Sequence, residues 1–224
     1  NRDGEQDLDH IIAAAIRGAD RAALEYPVMP GLILCLDRGF TYAQNEIIVE
    51  KAIAWKNRGI VGIDVAGRES AGFKVAEYKR LFARARLAGL GITVHTGESG
   101  PVSEVQDVIK YLEPDRIGHG VKSAQDVKTL KLLAGRKIVL EIRAIFNAIR
   151  THKVRYVIGT DGPEMLQTYI RDELAALGRH GILSVGEQEA AAAMSIKASF
   201  VKGAAKAAIP RSVATALKSA KDES

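Results

Sequence analysis

Six short runs rich in β-branched residues and leucine alternate with longer stretches whose apolar residues recur at the helical period. That alternation restricts the fold more than any other feature of the chain. The strand-like runs cover residues 31–36, 60–65, 92–95, 116–119, 137–142 and 154–158. Between them, Ile47, Ile48, Lys51, Ala52 and Trp55 mark a helix stopping at Gly59, and Val75, Tyr78, Lys79, Phe82 and Ala85 one stopping at Gly89. Val105, Val108, Ile109 and Leu112 mark another, ended by Pro114, and Val127, Leu130 and Leu133 a fourth, ended by Gly135. Further helices are expected over 8–25, 164–178 and 186–206.

Strand–helix alternation means a parallel sheet covered by helices, either an open doubly wound sheet or a closed barrel. The first is usually announced by Gly-x-Gly-x-x-Gly after a strand. Gly89-Leu-Gly91 and Gly118-His-Gly120 lack the third glycine, and no phosphate-loop pattern exists. The barrel is therefore expected, as a single α/β domain over 1–224 with a C-terminal helical extension over 186–224. Two counts sit badly with a whole barrel. Its eight strands exceed the six found here, and 224 residues fall below the usual length of about 250. Only eleven residues, Arg143 to Lys153, separate the last two strand runs. A parallel crossover takes a dozen or more, so either those runs are not parallel neighbours or chain is missing between them.

Composition removes several function classes. The excess of 32 Lys+Arg over 27 Asp+Glu is spread along the chain. Lys79-Arg80 and Arg84-x-Arg86 read as a solvated helix face, and in the tail Arg211, Lys218 and Lys221 are mixed with Asp222 and Glu223. Aromatics make up 5% and do not interleave with the cations, which argues against nucleic acid as a partner. No apolar run has the length of a membrane helix, and the polar start NRDGEQDLDH is unlike a signal peptide, so a cytoplasmic location is expected. Cys35 stands alone, which excludes a disulfide framework, and reads as a small buried hydrophobe. Trp55 reads as core.

Polar residues gather at the carboxyl ends of the strand runs: Asp64-Val-Ala-Gly67, His95-Thr-Gly-Glu98, Gly118-His119-Gly120, Glu141, and Thr160-Asp161-Gly162-Pro163. In a parallel α/β domain those ends converge on the ligand-binding face. Each residue has an ordinary structural use as well. His95 and His119 could be hydrogen-bonded core histidines, Asp161 a turn or capping residue, and Thr96 a packing residue. Two His, a Glu and an Asp at successive strand ends match the donors and acids of a hydrolytic zinc site. His10, His152 and His180 lack such a context.

His95-Thr-Gly-Glu98, Arg116-Ile-Gly-His-Gly-Val121 and Thr160-Asp-Gly-Pro163, in that order and with Asp64-Val-Ala-Gly67 before them, resemble the adenosine deaminase family of metal-dependent barrel hydrolases. The resemblance extends over about residues 7–209. It implies a TIM (β/α)8 barrel of which only strands three to eight are present, and zinc-dependent hydrolytic deamination of adenosine or a related 6-aminopurine. It implies one Zn2+ per complete protein, with His95 and Asp161 as metal ligands. Glu98 would protonate the purine ring nitrogen, His119 would orient the attacking water, and Asp161 would touch metal and water. The Gly67 backbone would lie against the purine, where a side chain would block approach.

Three departures qualify what the resemblance implies. The family's His-x-His after its first strand has no counterpart, which leaves two ligands where a catalytic zinc takes at least three. Arg143 to Phe146 differ from the usual Cys-Pro-Thr-Ser between Glu141 and Asn147. Gly162 replaces a second Asp that contacts the purine in many members, so adenine or an adenosine derivative could be preferred. The expectation is a chain that is part of a longer polypeptide. The alternative is an inert relative that binds a purine or serves as an assembly subunit. A homo-oligomer is compatible with either.

Overall fold

The computed structural model describes residues 7–202 apart from Pro27, Ser70, Ala71 and Arg143. Expectations for Arg143 and for 203–224, including most of the C-terminal extension and the Arg211–Glu223 charges, lie outside the described residues.

Asp7 caps the first helix, α1 (Leu8–Glu25), by accepting from the Asp9 and His10 amides. Strand β1 (Leu32–Asp37) leads into α2 (Tyr42–Trp55), which Thr41 and Gln44 open with a reciprocal capping box. Gly59, at φ 113°, ends that crossover as its glycine predicts, and β2 (Ile60–Ala66) follows. A 3-10 turn (Val75–Tyr78) and α3 (Lys79–Leu87) lead to β3 (Gly91–Thr96). Next, α4 (Val102–Asp107) runs into a π-helical turn (Val108–Leu112) before β4 (Arg116–His119). Helix α5 (Val127–Arg136) passes through Gly135 and stops one residue later, where Lys137 turns left-handed at φ 60°. Consequently β5 (Val139–Ile142) starts two residues later than its apolar pattern suggests.

The six strands pair in parallel in the order β1-β2-β3-β4-β5-β6. A doubly wound sheet reverses its strand order; sequential order is that of a barrel wall. Six strands of a TIM-type barrel are present, and β1 and β6 form the two edges of the described sheet. Alternation then sorts the side chains. Leu36, Ile63, Ile92, Val94, Ile117 and Leu140 point to the helices and are fully buried. Cys35, Asp64, His95 and Glu141 point to the inner face, because Cys35 pairs with Asp64 and Gly118 with both His95 and Glu141.

Several expectations need correction or qualification here. The short segment between the last two strands is a working crossover: α6 (Phe146–Thr151) fits within it, and β5 and β6 (Arg155–Ile158) are parallel neighbours from Val139↔Arg155 to Ile142↔Ile158. Six helical residues suffice because Phe146 and Ile149 anchor the helix in the core. Cys35 is exposed, since it faces the open inner side of edge strand β1. Trp55 is only partly buried and donates its indole N–H to Asp9 Oδ1 at 2.7 Å. The expected helix 164–178 is split into α7 (Pro163–Leu166) and α8 (Ile170–Arg179) by Gln167 at φ 52°. No helix among the described residues is long and apolar enough to cross a membrane.

The last helix among the described residues, α9 (Val185–Ala198), brings Phe200 under the amino-terminal end of the sheet. The Phe200 ring lies 3.8 Å from the Arg116 guanidinium, whose Nη1 donates to Ala198 O at 3.0 Å. Room for the ring exists because β2 and β3 carry glycine there. A Cβ at Gly62 would come within 2.7 Å of the ring, and one at Gly91 would overlap it outright. Gly91→Ala should therefore cost about 1–3 kcal/mol, the range for overfilling a packed site. Urea denaturation should show that loss, and the loss should shrink in a Phe200→Ala background.

Candidate active site

Parallel register carries the expected residues to one rim. His95 is the penultimate residue of β3 and sits opposite Gly118, while Thr96 sits opposite His119 at the end of β4. A Cβ at Gly118 would lie 2.7–2.9 Å from the His95 ring, so glycine is what lets the imidazole lie across the neighbouring strand. The His95 and His119 rings meet edge to face with centroids 5.3 Å apart. His95, His119, Glu141 and Asp161 line one cleft of about 480 Å3, together with Gly118 and Thr160. That volume lies within the range of small-molecule sites. Glu98 reaches toward the same cleft, its Oε2 3.7 Å from His119 Nε2, with the side chain 65% exposed. Gly67 lies beyond the end of β2 at φ 95°, a left-handed conformation that suits glycine.

His119 and Asp161 also adopt left-handed backbone conformations, at φ 64° and 61°. Neither is a glycine, and such positions cluster where a binding site aims a side chain. His119 is the last residue of β4 and Asp161 lies three residues beyond β6, and both border the cleft.

Charge is concentrated beneath this cleft. Asp64 Oδ2 lies 2.8 Å from His95 Nδ1, an ion-pair contact whose alignment falls short of a full hydrogen bond. The Asp64 carboxylate raises the His95 imidazole above its ordinary pKa against the opposing effect of burial, with Glu141 and Asp161 adding to the rise. Glu141 in turn pairs with Arg116 Nε at 2.5 Å, and Thr93 Oγ1 donates to the same carboxylate oxygen at 3.4 Å.

Two further side chains hold the rim, and nothing in the sequence singles them out. Arg38 follows β1 in Asp37-Arg-Gly39, which reads as ordinary turn chemistry. In the fold its side chain is 1% exposed. Nη2 lies 2.7 Å from Glu104 Oε1 and donates to the His95 carbonyl at 2.8 Å, while the guanidinium stacks 4.9 Å over the Phe73 ring. Glu69 accepts amide hydrogens from the loop that carries Glu98. Only contacts distant in sequence reveal either role. Thr96, expected to pack, is fully buried and also donates to Glu104 Oε1 at 3.1 Å.

Other expectations resolve individually. Phe146, one of the residues that depart from the family's usual pattern, packs in the core against Tyr156, and among the described residues of that segment Ala144 borders the cleft. His10 and His152 make local contacts, with Asp7 and with the Ala148 carbonyl. Arg84 and Arg86 are partnered by Glu46, Glu50 and the carbonyls of Leu112 and Glu113. A larger cavity of about 860 Å3 opens at the opposite end, between Arg86, Arg116, Arg136 and Phe200. None of the expected site residues borders it, and ligands of parallel α/β folds bind at the carboxyl ends of the strands.

His95 and Asp161 are the metal donors the sequence suggests, and both border the cleft. The described residues contain no group of three His, Cys, Asp or Glu side chains placed to hold a metal. Two donors are one short of the three protein ligands that a catalytic zinc takes. The donor set within the described chain is thus incomplete by itself.

Two variants probe the rim. Arg38→Met leaves Glu104, 14% exposed, without its cation, and should cost about 3–5 kcal/mol in a denaturant titration. In metal-free protein the charged His95–Asp64 contact adds stability in full below an unfolded-state pKa of about 6.5. That increment disappears as pH rises through the raised folded-state value. Asp64→Asn should flatten this part of the urea-midpoint profile, and an unchanged slope would argue against the contact.

Comparison with known proteins places this rim in a family. The family model described as adenosine deaminase matches residues 3–148. An adenine deaminase from Rhizobium leguminosarum bv. trifolii is 32% identical over 208 residues, covering 86% of this chain and 64% of its own length. An adenosine deaminase from Clostridium botulinum is 27% identical over 214 residues, covering 89% and 64%. A solved amidohydrolase from Burkholderia ambifaria, with bound Zn, superposes with a TM-score of 0.78 at 20% identity, covering 94% of this chain and 63% of its own. The chain therefore spans somewhat under two thirds of the length of these relatives. With the family model matching from ahead of α1 into α6, more than half of the chain, the chain belongs to the adenosine deaminase family.

Proposed function

We propose that the protein hydrolyses the amino group of a 6-aminopurine, adenine or adenosine, to the 6-oxopurine and ammonia. The observation that carries this reading is the meeting of His95, His119 and Asp161 in one cleft with Glu98 beside His119. The relatives named adenine deaminase and adenosine deaminase support the substrate class. Gly162, where many adenosine deaminases carry a second acid, keeps adenine and adenosine as parallel substrates for the assay.

The reaction needs a proton delivered to the ring nitrogen as water adds to the carbon bearing the amino group. Glu98 delivers that proton from its carboxyl. His119 Nε2 orients the water, Asp161 accepts one proton from it and passes that proton to the leaving amine, ammonia departs, and the remaining hydroxyl proton returns to Glu98 as the 6-oxo group forms. The Gly67 turn, beyond the end of β2, is assigned the flat face of the purine, and its glycine fits the close approach of the β1 end, where a Cβ would come within 3.1 Å of Asp37 Oδ1. Water is consumed, a C–N bond is exchanged for C–O, and no electrons change hands. Zinc belongs to this reading as cofactor, with His95 and Asp161 as two of its ligands and at least one further donor required beyond the described set.

Glu98 is 65% exposed, so the described residues do not give it the shielded surroundings usual for a carboxyl acid. Closure by further protein or by the substrate would have to supply them. Purified protein incubated with adenine or adenosine should release ammonia and show about one zinc per chain. Glu98→Gln should lower kcat at least about 100-fold with metal content unchanged. Neither zinc nor any purine-dependent ultraviolet change would favour an inert relative instead.

A further inference from the structure

Because the Glu98 side chain is largely exposed, with its carboxylate 3.7 Å from His119 Nε2, packing does little to fix it and its aim depends on the backbone that carries it. The loop after β3 leaves Thr96 through Gly97 at φ 72°, where a Cβ would come within 2.6 Å of Val105 Cγ2. The Gly97 carbonyl accepts from the Lys122 amide at 2.8 Å, which pins the near side of the loop to the turn after β4. On the far side three successive amides converge on one carboxylate. Glu98 N donates to Glu69 Oε1 at 3.2 Å, Ser99 N to Oε2 at 2.9 Å, and Gly100 N to the same oxygen; Ser99 Oγ adds a fourth contact at 3.2 Å.

We propose that Glu69 is a positioning residue that presets the loop carrying the proton donor Glu98. The inference rests on the reading of Glu98 given above. Consecutive amides aimed at one point form an anion-binding concavity, and a carboxylate supplied by the same chain fills it with charge-assisted hydrogen bonds. Glycine at position 100 is part of the arrangement, because a Cβ there would stand 2.7 Å from Glu69 Oε2 and 3.2 Å from its Cβ. Glu69 also lies two residues beyond Gly67, so one side chain ties the turn proposed to face the purine to the loop proposed to protonate it. Burial pushes the Glu69 carboxyl up, but the amides of Gly100, Glu98 and Ser99 and the Ser99 hydroxyl together hold it below its ordinary value.

The test uses two independent ways of breaking the same contact. Glu69→Gln removes the charge and turns an amide NH2 toward the loop N–H groups; Gly100→Ala keeps the charge and displaces it. Each should lower kcat by about 10- to 100-fold, the range expected when a reacting group is misplaced by about an ångström, with KM, zinc content and melting temperature little changed. In a Glu98→Gln background Glu69→Gln should lower turnover no further, because the two residues act as a unit. Hydrogen exchange of the Ser99 and Gly100 amides should speed up at least about tenfold in Glu69→Gln, a readout independent of turnover.

Wild-type kcat in both variants, unchanged exchange, or an equal loss with and without Glu98 would overturn the proposal and leave Glu69 a loop stabiliser. Should Glu69→Gln fail to fold, Gly100→Ala decides. Full activity in Glu98→Gln alone would overturn the reading of Glu98 and the proposal with it. An inactive Glu98→Gln beside a fully active Glu69→Gln would overturn the proposal only.

Discussion

The parallel ladder between β3 and β4 is the constraint on which the site depends. Its register puts Thr93 beside Arg116, His95 beside Gly118 and Thr96 beside His119. Partners in a parallel register share a face, so each pairing decides which groups meet inside the barrel wall. A slip of one residue would turn His95 toward the helices and bring Val94 inward. The helix-side residues Ile92, Val94 and Ile117 are fully buried, which makes such a slip costly. The hydrophobic core thus enforces the geometry of the polar face it does not touch.

Above that ladder the rim is held by buried charge rather than by apolar packing. Arg38 joins the end of β1 to the His95 carbonyl and to Glu104 on α4, and Glu104 also accepts from Thr96. Asn45, fully buried on α2, accepts from the Asp37 amide at 3.0 Å and donates to the Asp37 carbonyl at 2.9 Å, fixing the strand end from which Arg38 departs. Glu69 performs a related task for the next loop. Polar groups whose hydrogen bonds are directional specify one arrangement where apolar contact would tolerate several. Below the ladder, Arg116, Glu141 and Phe200 fill the inner space with a charge pair and an aromatic ring, with Gly62 and Gly91 leaving room for that ring.

The strands were legible in the sequence because each is a short apolar run closed by a turn residue, and five of the six begin within one residue of the expected position. The exception is β5, where Lys137 and Ile138 continue the apolar pattern but serve as the left-handed cap of α5. Propensity cannot separate a cap from a strand start when both suit the same residues. The crossover to β6 misled for another reason. Chain length gives a typical minimum for a parallel connection, whereas the minimum here is set by how deeply Phe146 and Ile149 are buried. Cys35 departs from the usual burial of cysteine because it lies on an edge strand whose inner face is open.

By itself the sequence determined the parallel α/β class, the strand order along the chain and the residue types at the strand ends. These are local properties, written in periodicity and in motifs such as His95-Thr-Gly-Glu98. Tertiary structure decided between the open sheet and the expected barrel by setting the strands in sequential order, brought His95, His119 and Asp161 to one cleft, and made Asp64, Arg38 and Glu69 hold its rim. The reason is range. Asp64 and His95 are thirty-one positions apart, Arg38 and His95 fifty-seven, and Glu69 and Ser99 thirty. No local pattern encodes such partners, and only closure of the strands side by side brings them within hydrogen-bonding distance.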